Sequence, residues 1–172
     1  MSSSGADSQG EDELLALSQQ CQKFRQSFQT FMIASLNAEN QPVCSYAPYV
    51  VGEDGHFYIF VSELAPHTES LLKHPRCSVM FIENESSCRN LFARQRLTFE
   101  CIVEEEVRDN ALGKEIIRQM KEELGETVAL LEGLSDFRLL RLRPQNGRYV
   151  VGFGKAYLVD PVDGALSHIG TV

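Results

Sequence analysis

The sequence predicts a mainly β, α+β fold: an antiparallel β-barrel with a few helices at its ends. About seven strand-like runs follow one another along the chain, and most of them are separated by short polar turns, which is the order expected of hairpins. Helical patterns occur at only a few places. A parallel sheet is disfavoured, because it needs a crossover helix after nearly every strand.

The chain is predicted to begin with a helix. Residues 1–10 are rich in Ser, Gly and Asp and are expected to be a disordered tail, because they bury too little apolar surface to offset the entropy of ordering. From residue 11 apolar side chains recur at spacings of three and four, which places them on one helix face; they are Leu14, Leu17, Cys21, Phe24 and Phe28. Residues 11–172 are expected to form a single domain.

The rest of the chain alternates predicted strands with three further helices. Runs rich in β-branched and aromatic residues predict strands at residues 30–36, 43–51, 56–62, 77–83, 97–103, 137–142, 149–151 and 156–159. Apolar periodicity predicts helices at residues 67–73, 109–124 and 126–132. Asp109 is expected to cap the second of these helices and Gly125 to end it. Asn146 followed by Gly147 predicts a tight hairpin turn.

Composition narrows the classes of function. The net charge of -8 argues against a nucleic-acid-binding protein, because such binding neutralises phosphates with Lys and Arg; residues 89–96 nevertheless hold three arginines. The five cysteines contain no C-x-x-C pair, so no zinc site is expected. No apolar run approaches the ~18 residues of a membrane span, and the N-terminus lacks an apolar signal segment. A cytoplasmic protein without a membrane or nucleic-acid partner is expected.

Few motifs carry recognisable chemistry. The G-x-S-x-G, H-E-x-x-H and Walker motifs are absent, which disfavours hydrolases and nucleoside triphosphatases. His67 and Thr68 open the short predicted helix, where the free amides of a first turn either receive a phosphate or are simply capped. His168 lies in a terminal segment that has little reason to be ordered unless it docks. His56 and His74 are expected in exposed loops.

Five motifs occur in a fixed order along the chain. They are SYAPY at 45–49, SxxAxHTxxL at 62–71, LFARQRLT at 91–98, DFRLLRL at 136–142 and GFGKAY at 152–157. Together they resemble the HugZ/HutZ-type haem-utilisation proteins, a branch of the pyridoxamine 5'-phosphate oxidase-like, FMN-binding split barrels. The resemblance spans about residues 20–160.

The resemblance implies a homodimer that binds haem at its subunit interfaces. Such a protein either carries haem or degrades it as an oxygenase with electrons from an external reductase. A histidine near the C-terminus holds the iron in this family, and His168 is the candidate here. Asp136 matches an aspartate that hydrogen-bonds the other ring nitrogen of that histidine. Arg94 matches a position at the haem pocket, where a guanidinium would pair with a propionate. Thr30 matches a small hydroxyl residue near the dimer interface.

The sequence also departs from the family and leaves alternatives open. Haem-degrading relatives carry their ligand in a Gly-His pair within a longer C-terminal extension, so His168 falls short of that position. Glu63 stands where some relatives have His. One alternative is an FMN-binding flavoprotein that surrounds the phosphate with four side chains: Ser45, His67, Thr68 and Arg96. The others are a haem-binding or storage protein without catalysis, and a scaffold that has lost its ligand.

Overall fold

The computed structural model describes residues 4–169. The helices are α1 (Ser4–Gln26), α2 (Pro66–Lys73), α3 (Ala111–Leu124) and α4 (Thr127–Glu132). The strands are β1 (Thr30–Leu36), β2 (Pro42–Pro48), β3 (Val50–Val51), β4 (Phe57–Ser62), β5 (Arg76–Ile82), β6 (Arg96–Glu106), β7 (Phe137–Gly152), β8 (Lys155–Val159) and β9 (Leu166–His168). Two short 3-10 turns, Glu85–Ser87 and Leu91–Ala93, connect β5 to β6.

The strands form one open sheet. Their order is β2-β1-β5-β6-β7-β4-β3. Strand β8 also pairs with β7, and β9 pairs with β8. The registers of the β1–β2, β1–β5, β3–β4, β4–β7, β7–β8 and β8–β9 pairs are all antiparallel. The prediction of a mainly antiparallel β fold with helices is confirmed.

The chain divides into two compact units. The first contains the described parts of Met1–Phe28, Phe81–Phe99 and Asn146–Val172, and the second contains Gln29–Met80 and Glu100–Gln145. The prediction that residues 11–172 behave as a single domain stays a prediction.

In the first unit the predicted apolar stripe of α1 packs as expected. Cys21 is buried, and the ring of Phe24 lies 6.0 Å from that of Tyr149 on β7. The α1 helix also contacts β9, where the Leu166 amide donates to the Ser18 hydroxyl at 3.2 Å. These contacts hold β9 against the helix.

In the second unit α3 and α4 cover a buried cluster. Ile116, Ile117 and Met120 project from one face of α3 at the helical spacing of three and four, and they pack on strand residues. The strand residues of this cluster are Val50, Tyr58 and Leu139. Burial of such side chains is worth roughly 1.5–3 kcal/mol each, which fixes α3 on the sheet.

Two predicted boundaries in this unit were wrong. The strand predicted at residues 43–51 is split into β2 and β3, because the amide of Tyr49 leaves the ladder and donates to the carbonyl of Gln29 at 3.1 Å. Asn110, not Asp109, caps α3, since its side-chain oxygen accepts from the Gly113 amide at 2.7 Å. Gly125 ends α3 as predicted, with a positive φ of 92°.

The hairpin predicted at Asn146 and Gly147 does not exist. Both residues lie inside the continuous strand β7, which runs to Gly152. A side chain at Gly147 would come within 2.7 Å of the Phe99 ring and of Val159, so the glycine is needed for close strand packing and not for a turn. The turn lies instead between β7 and β8, where Gly154 has φ 71°.

Both ends of the chain differ from expectation. Helix α1 begins at Ser4 and not at residue 11, so the predicted disordered tail is helical from residue 4, while residues 1–3 lie outside the described residues. The terminal segment that holds His168 forms strand β9. Within residues 4–169 no helix has the length and apolar character needed to cross a membrane.

Candidate functional site

A positively charged cleft of about 540 Å³ opens on β6, β7 and β8 in the first unit. Its cations are Arg96, Arg148 and Lys155, one from each strand. We call this feature the cationic cleft. Val150 and Ala156 form an apolar part of its lining, and Phe92 and Phe153 contribute aromatic rings. The lining residues include no Asp or Glu.

Strand alternation places the cationic cleft on one face of the sheet. Arg96 and Thr98 line the cleft, whereas Leu97 and Phe99, which alternate with them on β6, are buried and line a smaller cavity beside Cys21. Polar and apolar faces are therefore cleanly separated on this part of β6.

None of the three cations makes an ion pair with a described carboxylate. The Arg96 Nη1 donates to the carbonyl of Arg94 at 3.1 Å, which orients that guanidinium and leaves its other donors available. By contrast, Arg138 and Arg141 in the second unit are each paired with two glutamates. The cationic cleft is thus a local concentration of uncompensated positive charge.

His168 lies on the other face of the sheet from the cleft. It pairs with Tyr157 across β8 and β9, and the centroids of the two rings are 5.4 Å apart. Tyr157 alternates with the cleft residue Ala156, so His168 and the cleft of one chain point to opposite sides. The imidazole is exposed, and neither ring nitrogen has a hydrogen-bond partner among the described residues.

Asp136 belongs to the second unit, in the connection between α4 and β7. One carboxylate oxygen accepts a 2.6 Å hydrogen bond from the Ser62 hydroxyl, and its carbonyl accepts from the Glu63 amide at 2.7 Å. Arg108 holds the same connection by donating to the carbonyls of Glu132, Leu134 and Phe137. The carboxylate is therefore fixed in orientation and keeps acceptor capacity on its second oxygen.

Arg94 is largely engaged within the first unit. Its guanidinium donates to the carbonyl of Glu83 through two nitrogens and lies 3.2 Å from the Glu85 carboxylate, and 19% of the side chain is exposed. A propionate would compete with these contacts. The structure thus shows Arg94 tying β5 to the segment before β6.

Three side chains of the alternative phosphate site lie in the second unit. Thr68 is fully buried; its hydroxyl donates to the Ser62 carbonyl at 2.6 Å and its amide to the Ala65 carbonyl at 2.9 Å. Those two donors are unavailable to an anion. Ser45 Oγ and His67 Nε2 are buried without a partner among the described residues, and burial lowers the pKa of His67.

Thr30 lies on an exposed, largely apolar face of the β1–β2 hairpin. Cross-strand pairing aligns Met32 with Tyr46, Ala34 with Cys44 and Leu36 with Pro42 on this face. Tyr46 is 66% exposed and Met32 is 40% exposed. An exposed apolar sheet face of this kind is typical of a protein interface.

A family model described as pyridoxamine 5'-phosphate oxidase matches residues 17–151. The chain belongs to this family. It is also 40% identical over 147 residues to the haem oxygenase HutZ of Vibrio cholerae, a match that covers 86% of this chain and 83% of HutZ. The predicted HutZ-type membership and the split-barrel fold are therefore confirmed.

Solved structures agree with this assignment. A Vibrio cholerae HutZ structure, described as a haem storage protein, has a TM-score of 0.73 and 36% identity, and the match covers 79% of this chain and 96% of that one. Campylobacter jejuni ChuZ has a TM-score of 0.80 and 28% identity over 90% of this chain. This chain covers 63% of ChuZ.

Sequence motifs do not predict most of the cleft. They place Arg96 at a predicted phosphate site and do not identify Arg148, Lys155, Phe92 or Phe153. The motif from residue 152 to residue 157 and the three arginines of residues 89–96 contained the signal. Only the register of β6, β7 and β8 brings these segments together.

Proposed function

We propose that this protein binds haem in haem utilisation and that His168 would hold the iron. The observation that carries the proposal is that β9 holds His168 in an ordered strand with its imidazole exposed. A neutral imidazole nitrogen is a common ligand of haem iron. The 40% identity with a protein named a haem oxygenase supports haem as the bound group.

Asp136 and Arg94 have supporting roles in this proposal. Asp136 would accept a hydrogen bond from the second ring nitrogen of the iron-binding histidine, which orients the imidazole and raises its basicity. Arg94 would use its remaining donors at the haem pocket while it fixes the segment before β6.

Catalysis is a separate question from binding. Bound haem supplies the oxygen and electron-transfer chemistry, and the chain contributes binding, orientation and exclusion of water. Proteins named HutZ are described both as an oxygenase and as a storage protein. We propose that the protein degrades haem oxidatively with electrons from an external reductase. An assay of haem loss in the presence of reductant and oxygen tests this proposal. Haem that stays bound and intact would indicate storage without degradation.

The protein is further proposed to be a cytoplasmic homodimer. The apolar face around Thr30, Met32 and Tyr46 is the proposed subunit interface, because a monomer would leave it in water. None of the five cysteines forms a disulfide bond, which fits the reducing conditions of the cytoplasm.

Titration of the purified protein with hemin tests the binding proposal. We expect a saturable shift of the Soret band with one hemin per chain. His168→Ala should weaken binding and change the spectrum, whereas His74→Ala, a half-buried histidine, serves as the control and should bind as the wild type does. A wild-type spectrum identical to that of free hemin would refute the proposal.

FMN is the second candidate ligand. Ser45 Oγ and His67 Nε2, both buried without a described partner, favour some polar ligand near α2. Against FMN, the hydroxyl and the amide of Thr68 are already used. A preparation that releases a fluorescent flavin on denaturation would favour FMN over haem.

A further inference from the structure

Asp136, the proposed partner of the iron-binding histidine, is itself held by Ser62 on β4. The Ser62 hydroxyl donates to Asp136 Oδ2 at 2.6 Å. We propose that Ser62 is a positioning residue, which fixes the carboxylate of Asp136 and thereby sets how strongly that carboxylate acts on the histidine. This inference deepens the proposed function and rests on it, because Ser62 acts only through Asp136.

Strand pairing brings Ser62 and Asp136 together although they are far apart in sequence. Ser62 is the last residue of β4 and pairs with Phe137, the first residue of β7. The Glu63 amide donates to the Asp136 carbonyl at 2.7 Å and extends this pairing by one step. The backbone of Asp136 is therefore fixed beside Ser62, and only the orientation of its side chain remains to be set.

The hydrogen bonds of Ser62 direct its hydroxyl proton to Asp136. The hydroxyl oxygen accepts from the Leu64 amide at 3.1 Å, a local turn that serine favours. A hydroxyl has a single donor, and here the carboxylate receives it. The Ser62 carbonyl accepts from the Ala65 amide at 3.1 Å and from the buried Thr68 hydroxyl at 2.6 Å. Ser62 is therefore a donor that is fixed at both its backbone and its side chain.

The carboxylate of Asp136 has no second described donor. Among residues 4–169 neither of its oxygens accepts from another side chain or from an amide. Oδ1 is therefore open to a further donor, such as the N–H group of an imidazole. The χ2 torsion of an aspartate is broad and roughly twofold, so loss of the Ser62 bond would let this carboxylate rotate.

The orientation of a carboxylate decides how strongly it acts on a metal-bound imidazole. A well-aligned N–H···O bond orients the ring and raises its basicity, whereas a misaligned bond is weaker. Ser62 therefore strengthens the bond between iron and histidine without touching either. A hydroxyl that only withdrew charge from the carboxylate would have the opposite effect, so the direction of the change distinguishes the two roles.

Resonance Raman spectroscopy of the ferrous haem complex measures this effect as the frequency of the iron–histidine stretching band. We expect Ser62→Ala to lower the frequency toward that of Asp136→Asn. Ser62→Thr keeps the hydroxyl and should keep the wild-type frequency. The control is Ser70→Ala, which removes a buried hydroxyl that donates to the Pro66 carbonyl at 3.0 Å on α2, and it should leave the band unchanged.

The haem-free protein tests the hydrogen bond by itself. The ¹³C resonance of the Asp136 carboxyl group, assigned with Asp136→Asn, should shift in Ser62→Ala and stay in place in Ser62→Thr and Ser70→Ala. Alanine keeps the backbone carbonyl to which Ala65 and Thr68 donate, so the fold should persist and circular dichroism should match the wild type. This measurement does not depend on iron.

The inference is overturned if Ser62→Ala leaves the carboxyl resonance in place, or if it leaves the band unchanged or raises its frequency while Asp136→Asn lowers it. A band that does not respond to Asp136→Asn overturns it as well. A wild-type complex without a histidine-sensitive band refutes the proposed function, and the inference then falls with it. The first two results, by contrast, leave haem ligation by the histidine intact, so the two failures are distinguishable.

Discussion

Gly147 lies on β7 between the ring of Phe99 and the side chain of Val159. A Cβ atom at this position would come within 2.7 Å of both neighbours, so Gly147→Ala is expected to destabilise the protein by about 1–3 kcal/mol, the usual effect of overpacking. Urea unfolding measures the change. Gly152→Ala on the same strand is the matched control, because a Cβ atom at this position would meet nothing within 4 Å. This variant should change the free energy of unfolding by less than about 0.5 kcal/mol. Equal effects of the two variants would contradict this packing.

The role of Gly147 could not be predicted from the local sequence. Asn followed by Gly is a strong local turn signal, but here the glycine is required by side chains that come from β6 and β8. Arg94 is a second example. Its motif predicts a guanidinium at the haem pocket, and the structure adds contacts with Glu83 and Glu85 that the motif does not reveal. Such contacts depend on neighbours that are distant in sequence.

The connection between α4 and β7 is held by a single arginine. Arg108 donates to three carbonyls of this connection, and its guanidinium lies 5.1 Å from the centre of the Phe60 ring. Arg108→Ala should therefore lower the free energy of unfolding by about 2 kcal/mol, since hydrogen bonds to charged groups contribute about 1.5–3 kcal/mol each and the site is partly solvated.

Hydrogen exchange should locate this effect. Amides of residues 133–136 are expected to exchange faster in Arg108→Ala and little faster in Arg118→Ala, whose exposed ion pairs on α3 contribute about 0–1 kcal/mol. Arg108→Lys should keep only part of the protection, because an ammonium group cannot donate to three separate carbonyls at once. Unchanged amide exchange at residues 133–136 in Arg108→Ala would contradict the proposal that Arg108 holds this connection.

At the scale of elements, local pattern predicted most of the fold. Strand β1 has the predicted bounds, and α2, α4, β4, β5 and β8 begin or end within a residue or so of expectation. The errors fall where long-range contacts override propensity: Tyr49 leaves the ladder to bond Gln29, and β9 forms only because α1 and β8 provide partners. The family motifs identify Asp136, whereas His168 is a candidate only as the histidine near the C-terminus. The cationic cleft depends on the strand register.

The whole molecule is expected to be a dimer through the β1–β2 face. Tyr46→Glu introduces a charge at the centre of the proposed interface, opposite Met32, and should shift the protein from dimer to monomer in light scattering. Leu64→Glu is the control, because Leu64 is exposed and is not on this face. A wild-type protein that is monomeric at all concentrations, or a dimer that Tyr46→Glu leaves intact, would contradict the proposed interface.

Resonance Raman spectroscopy of the ferrous complex tests whether His168 binds haem iron, because the iron–histidine stretching band reports that bond itself. We expect a band that shifts on labelling of histidine with ¹⁵N, that is lost in His168→Ala and that persists in His74→Ala. A band that survives in His168→Ala, or a wild-type complex without a histidine-sensitive band, would contradict it.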